Sequence, residues 1–234
     1  MANSIQEALK RAAAAKALEF VEDGMKLGLG TGSTAEAFLD VLAPRVKAGL
    51  KVVGVPTSER TAHKARMLGL SLSTLDELGT LDLTVDGADE TDRDLQLIKG
   101  GGGALLREKI VAASSKQMVV IADGSKLVDR LGGFPLPVEV IAFGQNSTLE
   151  RIKSCIASLG YVKVEIRLRQ KDGSPFKTDS ANYIYDCAFA AITDAQALAS
   201  ALSQVPGVVD HGLFIGIATA LVIARESGVE VIRK

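Results

Sequence analysis

The sequence has no tryptophan, three tyrosines and seven phenylalanines, so aromatic residues make up only 4% of the chain. Proteins that bind single-stranded nucleic acid stack bases on aromatic platforms, and so few rings argue against that class. An excess of one charge is missing too: 27 lysines and arginines stand against 28 aspartates and glutamates, a formal net charge of −1. A general nucleic-acid binder needs a broad basic face to displace counterions, and this balance does not supply one, although it leaves room for a local basic pocket. The two cysteines, Cys155 and Cys187, have small or apolar neighbours and form no CxxC pair. They read as reduced, buried thiols in a reducing compartment. With that spacing, His63 and His211 cannot complete a zinc site. No stretch approaches the ~20 apolar residues that cross a bilayer. Lys16 and Glu19 interrupt the early alanine run, which does not read as a signal peptide. A cytoplasmic protein with no membrane and no nucleic-acid partner is expected.

What is present fits a globular protein: 234 residues, 47% hydrophobic and 24% charged. At about 150 residues per domain, that length suggests one large domain with a smaller companion. A chain of this size buries about 70% of its unfolded surface and needs no disulfide or metal staple. Glycine is the one excess, 23 residues of 234, about 10% against a usual ~7%.

Five segments match the capping box that opens a helix: Ser4–Glu7, Ser33–Glu36, Thr74–Glu77, Ser147–Glu150 and Thr193–Gln196. Between them lie short apolar runs of strand type at 26–30, 51–55, 81–85 and 117–122. Strands alternating with helices in this way predict βαβ units and a parallel sheet, an α/β fold. Leu131-Gly-Gly-Phe-Pro-Leu-Pro137 then breaks the pattern. Beyond it, strands near 138–141, 162–168 and 183–190 and helices near 147–159 and 194–203 predict a small α+β domain with an antiparallel sheet. Pro206-Gly207 marks its expected end, and the tail returns to the first domain. The expected division is therefore 1–130 with 207–234 for the large domain and 131–206 for the small one.

Four glycine-rich or acidic segments fall at successive expected strand ends. Gly28-Leu-Gly-Thr-Gly-Ser-Thr34 follows a strand and opens a helix. Such a turn offers backbone N–H groups and a helix N-terminus to an anion, with hydroxyls from Thr31, Ser33 and Thr34. Position 33 is Ser, so G-x-G-x-x-G fails, and no Gly-Lys-Ser/Thr follows for a Walker A loop. The second strand ends in Pro56-Thr-Ser58, without the acid that a dinucleotide ribose requires. A cradle for a small phosphate ester is the better reading, with a plain tight turn as the alternative.

Val85-Asp-Gly-Ala-Asp-Glu90 places three carboxylates at the next strand end, where they could hold a hard cation, move protons, or simply cap a turn. Lys99-Gly-Gly-Gly-Gly-Ala104 is costly in chain entropy, and its use would be close backbone approach to a ligand. A helix is expected from about Ala104, with Glu108 one turn inside it. The helix N-terminus favours the ionised form of Glu108 and pocket burial opposes it, a competition that can tune a general base. Lys126, in Asp123-Gly-Ser-Lys126, could add a point charge for a phosphate. Each segment is also compatible with an ordinary surface role. Four at the converging ends of one sheet suit proton transfer on a phosphorylated small molecule.

These blocks together resemble ribose-5-phosphate isomerase, type A. The matching residues are Gly30–Thr34, Thr57–Glu59, Asp86–Glu90, Lys99–Ala104 with Arg107–Lys109, Asp123 with Ser125 and Lys126, Phe134–Glu139, Asp179 with Asn182, Pro206–Val209 and Gly212–Phe214. The resemblance spans nearly the whole chain, in order. It implies a Rossmann-like parallel-sheet domain plus a smaller ferredoxin-like α+β domain. It implies interconversion of D-ribose 5-phosphate and D-ribulose 5-phosphate through a cis-enediol(ate), in the pentose phosphate pathway. It also implies no metal or other cofactor, a sugar phosphate as the partner, and a homodimer. By the same resemblance Glu108 is the base, Lys99 stabilises the enediolate, and Asp86 and Asp89 assist ring opening and handle hydroxyl protons. Thr31, Gly32, Ser33, Thr34 and Lys126 would hold the phosphate, while Gly87, Ala88 and Gly100, Gly101 and Gly102 line the sugar.

Overall fold

Two sheets, one largely parallel and one antiparallel, carry most of the chain, of which the computed structural model describes residues 2–233. In order come α1 (Ala2–Ala17), β1 (Lys26–Leu29), α2 (Ser33–Lys47), β2 (Val53–Pro56), α3 (Glu59–Met67) and the single turn α4 (Leu75–Leu78). Next are β3 (Leu81–Gly87), the two-residue β4 (Glu90–Thr91) and β5 (Leu97–Ile98), α5 (Leu105–Ala113) and β6 (Ser115–Asp123). Then follow β7 (Leu136–Val140), α6 (Gln145–Ser158), β8 (Glu165–Leu168), the small hairpin β9 (Gln170–Lys171) and β10 (Ser174–Pro175), and β11 (Tyr183–Ala188). The chain closes with α7 (Ala195–Leu202), β12 (Val208–His211), β13 (Leu213–Phe214), β14 (Ala220–Arg225) and β15 (Gly228–Arg233).

The larger sheet has the order β15-β14-β6-β3-β1-β2, parallel throughout except for the edge strand β15. Both its faces are covered, which is why its strands read as continuous apolar runs. Leu27, Leu29, Leu83, Val85, Val119 and Ile121 face α1 and α2, packing with Ala13, Ala14, Phe38 and Leu42. Met118, Val120, Leu221 and Ile223 face the opposite side and pack with Leu97 and Phe214. The connection from β1 runs to β2 on one side, and that from β3 runs to β6 on the other. The gap between the carboxyl ends of β1 and β3 is therefore a topological switch point, the place where open α/β sheets bind ligands.

The smaller sheet is antiparallel, in the order β12-β7-β11-β8. Ile152 and Ile156 of α6 and Leu198 and Leu202 of α7 pack against Leu136, Val138, Tyr185 and Cys187 of the strands. The run β7-α6-β8-β11-α7-β12 is a βαββαβ unit of ferredoxin-like order. Its fourth strand, β12, lies beyond Pro206-Gly207. That dipeptide thus turns the chain into the small sheet, one strand earlier than the expected return to the first. β13 then joins β5 and β4 in a three-stranded sheet between the two.

Of the five expected capping boxes, Thr74–Glu77 forms: Thr74 Oγ1 accepts from Glu77 N at 3.2 Å and Glu77 Oε2 accepts from Thr74 N at 3.3 Å. Elsewhere neighbours move the helix start. α1 already runs through Ser4, and α6 begins two residues before Ser147, after Gly144 with φ +66°. Thr193 spends its hydroxyl on Tyr161, so Asp194 caps α7 instead. α3 was not expected; Ser58 caps it, accepting from Thr61 N at 3.1 Å.

Candidate active site

The turn after β1 is shaped by close packing. A Cβ on Gly30 would overlap the Asp86 carboxylate, so only glycine lets β1 end against that side chain. Gly30 N donates to Val85 O at 3.0 Å and Thr31 N to Asp86 Oδ1 at 3.1 Å. Gly32 sits at the N-cap of α2 with φ +103° and no side-chain cap is made there. The expected Ser33–Glu36 box is absent because Gly32 takes the N-cap and Ser33 is already the first helical residue, while Glu36 pairs with Arg60 at 2.6 Å. The first N–H groups of α2 are thus left for an anion, beside Ser33 and Thr34. The Thr31 hydroxyl turns away from that position into a network with Thr57 at 2.7 Å and Ser58 at 2.8 Å. Thr31 therefore lines the cleft without the free hydroxyl donor expected of it, and its N–H is spent on Asp86 as well.

One cleft brings together Thr31, Gly32, Ser33, Thr34, Gly87, Ala88, Asp89, Lys99, Gly100, Gly101, Gly102, Glu108 and Lys126. Asp123, Gln6 and Lys10 complete its wall. Gln6 and Lys10 come from α1 and escaped the sequence reading, because their spacing in an alanine-rich helix is that of any solvated face. Lys10 Nζ lies 2.8 Å from Glu7 Oε1 and its side chain is 12% exposed. Lys126 ends a short turn held by Asp123, whose Oδ1 accepts from Ser125 N at 2.9 Å.

Asp86 is the one expected residue that does not line the cleft. It lies fully buried beneath it, with Oδ1 accepting from Thr31 N and from Gly87 N at 2.7 Å. Its Oδ2 stands 2.9 Å from Lys99 Nζ. Lys99 also donates to Gly87 O at 2.7 Å and stands 3.4 Å from Glu108 Oε1, over the Phe214 ring. The other Glu108 oxygen, Oε2, is buried with no hydrogen-bond partner among the described residues. Asp89, half-buried on the wall, accepts from Gly101 N at 2.7 Å.

Burial is the largest influence on all three buried groups. It would lower Lys99, but the carboxylates of Asp86 and Glu108 outweigh it and hold the ammonium charged. Burial pushes Glu108 up to about 8, opposed by Lys99 and reinforced by Asp86 and Asp89. Asp86 is raised too, against Lys99 and the N–H groups of Gly87 and Thr31. Asp86 has three donors close by, while Glu108 has one contact at 3.4 Å. The donors around Asp86 favour its ionised form, and burial with a single contact favours the protonated form of Glu108.

A carboxyl that takes and gives a proton near neutrality, a fixed cation beside it, and an anion seat at a helix end can move a proton on a phosphorylated substrate. The sequence model of the family described as ribose 5-phosphate isomerase A (phosphoriboisomerase A) matches residues 53–228. A protein named ribose-5-phosphate isomerase A from Parvibaculum lavamentivorans is 58% identical over 223 residues, covering 95% of this chain and 96% of that one. Its namesake from Brucella suis is 56% identical over 226 residues and covers 97% of each chain. Among solved structures, ribose 5-phosphate isomerase from Plasmodium falciparum superposes with a TM-score of 0.92 at 38% identity, covering 97% of this chain and 99% of that one.

Proposed function

The chain belongs to the ribose 5-phosphate isomerase A family and interconverts D-ribose 5-phosphate and D-ribulose 5-phosphate, and on that premise we propose how its own residues carry the reaction. The observation that carries the reading is Glu108 Oε2, buried and unpartnered at the wall of a cleft with Lys99 beside it. Ionised Glu108 takes the proton from C2 of the open-chain aldose. The C–H electron pair becomes the C1–C2 double bond of a cis-enediolate, and the carbonyl pair moves onto oxygen. Lys99 faces that developing negative charge. Glu108 then returns the proton to C1 as the O2 hydroxyl proton passes to O1, and the C2 oxygen becomes the ketone.

Asp89, at the cleft wall, handles hydroxyl protons and assists ring opening. Asp86, shut off from the cleft, contributes through Lys99, which it holds charged and in place, and through the Thr31 turn. The phosphate sits on the α2 N-terminus between Ser33, Thr34 and Lys126, with Lys10 as a further cation. Gly87, Ala88 and Gly100 to Gly102 line the sugar. The two sheets are read as two domains, the smaller inserted into the larger. The protein is further read as a cytoplasmic homodimer. Apolar Phe143 and Ile141, exposed at the end of β7, support a second copy, and sedimentation velocity tests it. No helix among the described residues is long and apolar enough to cross a membrane.

The decisive experiment is a coupled isomerase assay on Glu108→Gln. Loss of a positioned base removes ~10²–10⁴-fold of rate, while the amide keeps the shape of the site and its phosphate affinity. Turnover close to that of the unmodified enzyme would remove Glu108 from the role of base.

A further inference from the structure

Arg169 lies between β8 and β9, in the smaller sheet's half of the chain, yet its guanidinium ends on the sugar-lining loop. Nε donates to Asp186 Oδ2 at 2.9 Å and Nη2 to Asp186 Oδ1 at 2.5 Å. This two-point pairing fixes the plane of the guanidinium. Asp186 is on β11, hydrogen-bonded between β7 and β8, so the anchor is a rigid central strand. The remaining nitrogen, Nη1, donates to Gly100 O at 2.8 Å and to Gly101 O at 3.2 Å. Phe176 packs under the guanidinium at 5.9 Å and occupies the space that a Cβ on Gly103 would need.

Four consecutive glycines have no side chains with which to hold a conformation, and Gly100 has φ +103°. One turn bond inside the loop, Gly103 N to Gly100 O at 2.9 Å, supplies part of their order, and Arg169 adds ties from outside at two successive carbonyls. A trans peptide points its C=O and N–H in opposite directions. With Gly100 C=O on Arg169, the N–H of the same unit, that of Gly101, points away and meets Asp89 Oδ2 at 2.7 Å. With Gly101 C=O also on Arg169, the Gly102 N–H is aimed to the opposite side, that of the cleft which Gly102 lines.

We propose that Arg169 is a positioning residue for the isomerisation: locked by Asp186, it orients the two peptide units after Gly100, and through them places Asp89 and the Gly102 N–H against the sugar. The inference rests on the assignment of the sugar to this loop. It makes the smaller sheet a supporting wall of a site whose reacting groups all belong to the larger sheet and its connections.

The test uses Arg169→Lys and Arg169→Ala in the full chain, with ribose 5-phosphate as substrate and inorganic phosphate as competitive inhibitor. Misplacing groups that touch the sugar by about 1 Å should lower kcat by ~10–100-fold. The inhibition constant for phosphate, whose seat lies on the α2 N-terminus, should be unchanged. Guanidinium in solution should restore part of the activity of Arg169→Ala and leave the unmodified enzyme unaffected. Lysine keeps the charge but cannot make the two-point pairing, so Arg169→Lys should also lose kcat at an unaltered melting temperature. Should the alanine variant fail to fold, the lysine variant decides alone, and full kcat there overturns the proposal. For a folded Arg169→Ala, so does a loss that guanidinium does not relieve or that phosphate affinity shares equally. Failure of the base assignment would show separately, as turnover in Glu108→Gln.

Discussion

Lys99 carries one positive charge between two buried carboxyls, so the group is one cation short of neutrality if both are ionised. Burial favours meeting the shortfall with a proton on Glu108, whose carboxyl it pushes up to about 8. Two consequences run in opposite directions. As a base Glu108 must be free of its proton, so kcat/KM, which reports the free enzyme, should rise with pH and level off above about 8. Stability follows the other sign. The folded state binds this proton more tightly than the unfolded chain, where the carboxyl has its ordinary value of 4.5. The folded form therefore holds more protons between those two values, and stability falls as pH rises through that window. Glu108→Gln removes this group's share of the slope and should be more stable than the unmodified enzyme at pH 8.5 by on the order of a few kcal/mol, with little difference at pH 5. Urea unfolding midpoints at the two pH values check it. The sequence left this competition undecided, because a position one turn into a helix argues for ionisation and burial argues against. Only the packing around Lys99 decides between them. In the same way Asp86 and Asp89, three residues apart in one motif, look equivalent in sequence and separate in space, one beneath the cleft and one in its wall.

The elements around the phosphate seat show which local signals survive folding. The Ser-x-x-Glu pattern at the start of α2 reads as a closed helix cap, yet the helix begins one residue early, with Gly32 at the cap, and the cap stays open. The open cap suits the phosphate, since a satisfied helix end would have no donors left to give. Strand ends and glycine clusters were legible because they are runs of special residues. α1 was legible as a helix, but its crossing of the cleft was not, so Lys10 emerges only from the packing of that helix. The phosphate lies far from the carbons that react, and its contacts are equal in ground state and transition state. Removing such a contact raises KM and spares kcat. Lys10→Ala and Lys126→Ala should each raise KM by about tenfold, equivalent to about 1.4 kcal/mol, with kcat little changed. Steady-state kinetics on the two variants measure this. An unchanged KM would place that lysine outside the phosphate seat.

At the scale of the molecule, alternation of strand and helix was enough to foresee the parallel sheet, because each βα unit announces itself by its own periodicity. Two-residue strands such as β4, β5 and β13 have no periodicity to read, and β12 was hidden behind Pro206-Gly207. The consequence is a chain with separate apolar cores, one on each face of the larger sheet and one under the smaller, with polar contacts running between the two sheets. Arg169 on the Gly100 and Gly101 carbonyls is one such contact, and Arg107, 3.0 Å from Glu59 and 3.2 Å from Asp179 O, is another. If coupling between the sheets runs through these points, a defect deep in the second core should reach stability and stop short of catalysis. Leu198 tests this: it is fully buried on α7 within the second core, none of whose residues lines the cleft. Leu198→Ala should cost about 2–5 kcal/mol, from lost transfer energy and the cavity left behind. For a chain of this size that lowers the melting temperature by roughly 5–15 °C. At 25 °C, where the variant remains folded, kcat/KM should match that of the unmodified enzyme. A matching loss in kcat/KM would mean that the second sheet shapes the cleft through its whole packing rather than through its edge contacts, and thermal unfolding paired with kinetics on the same sample separates the two.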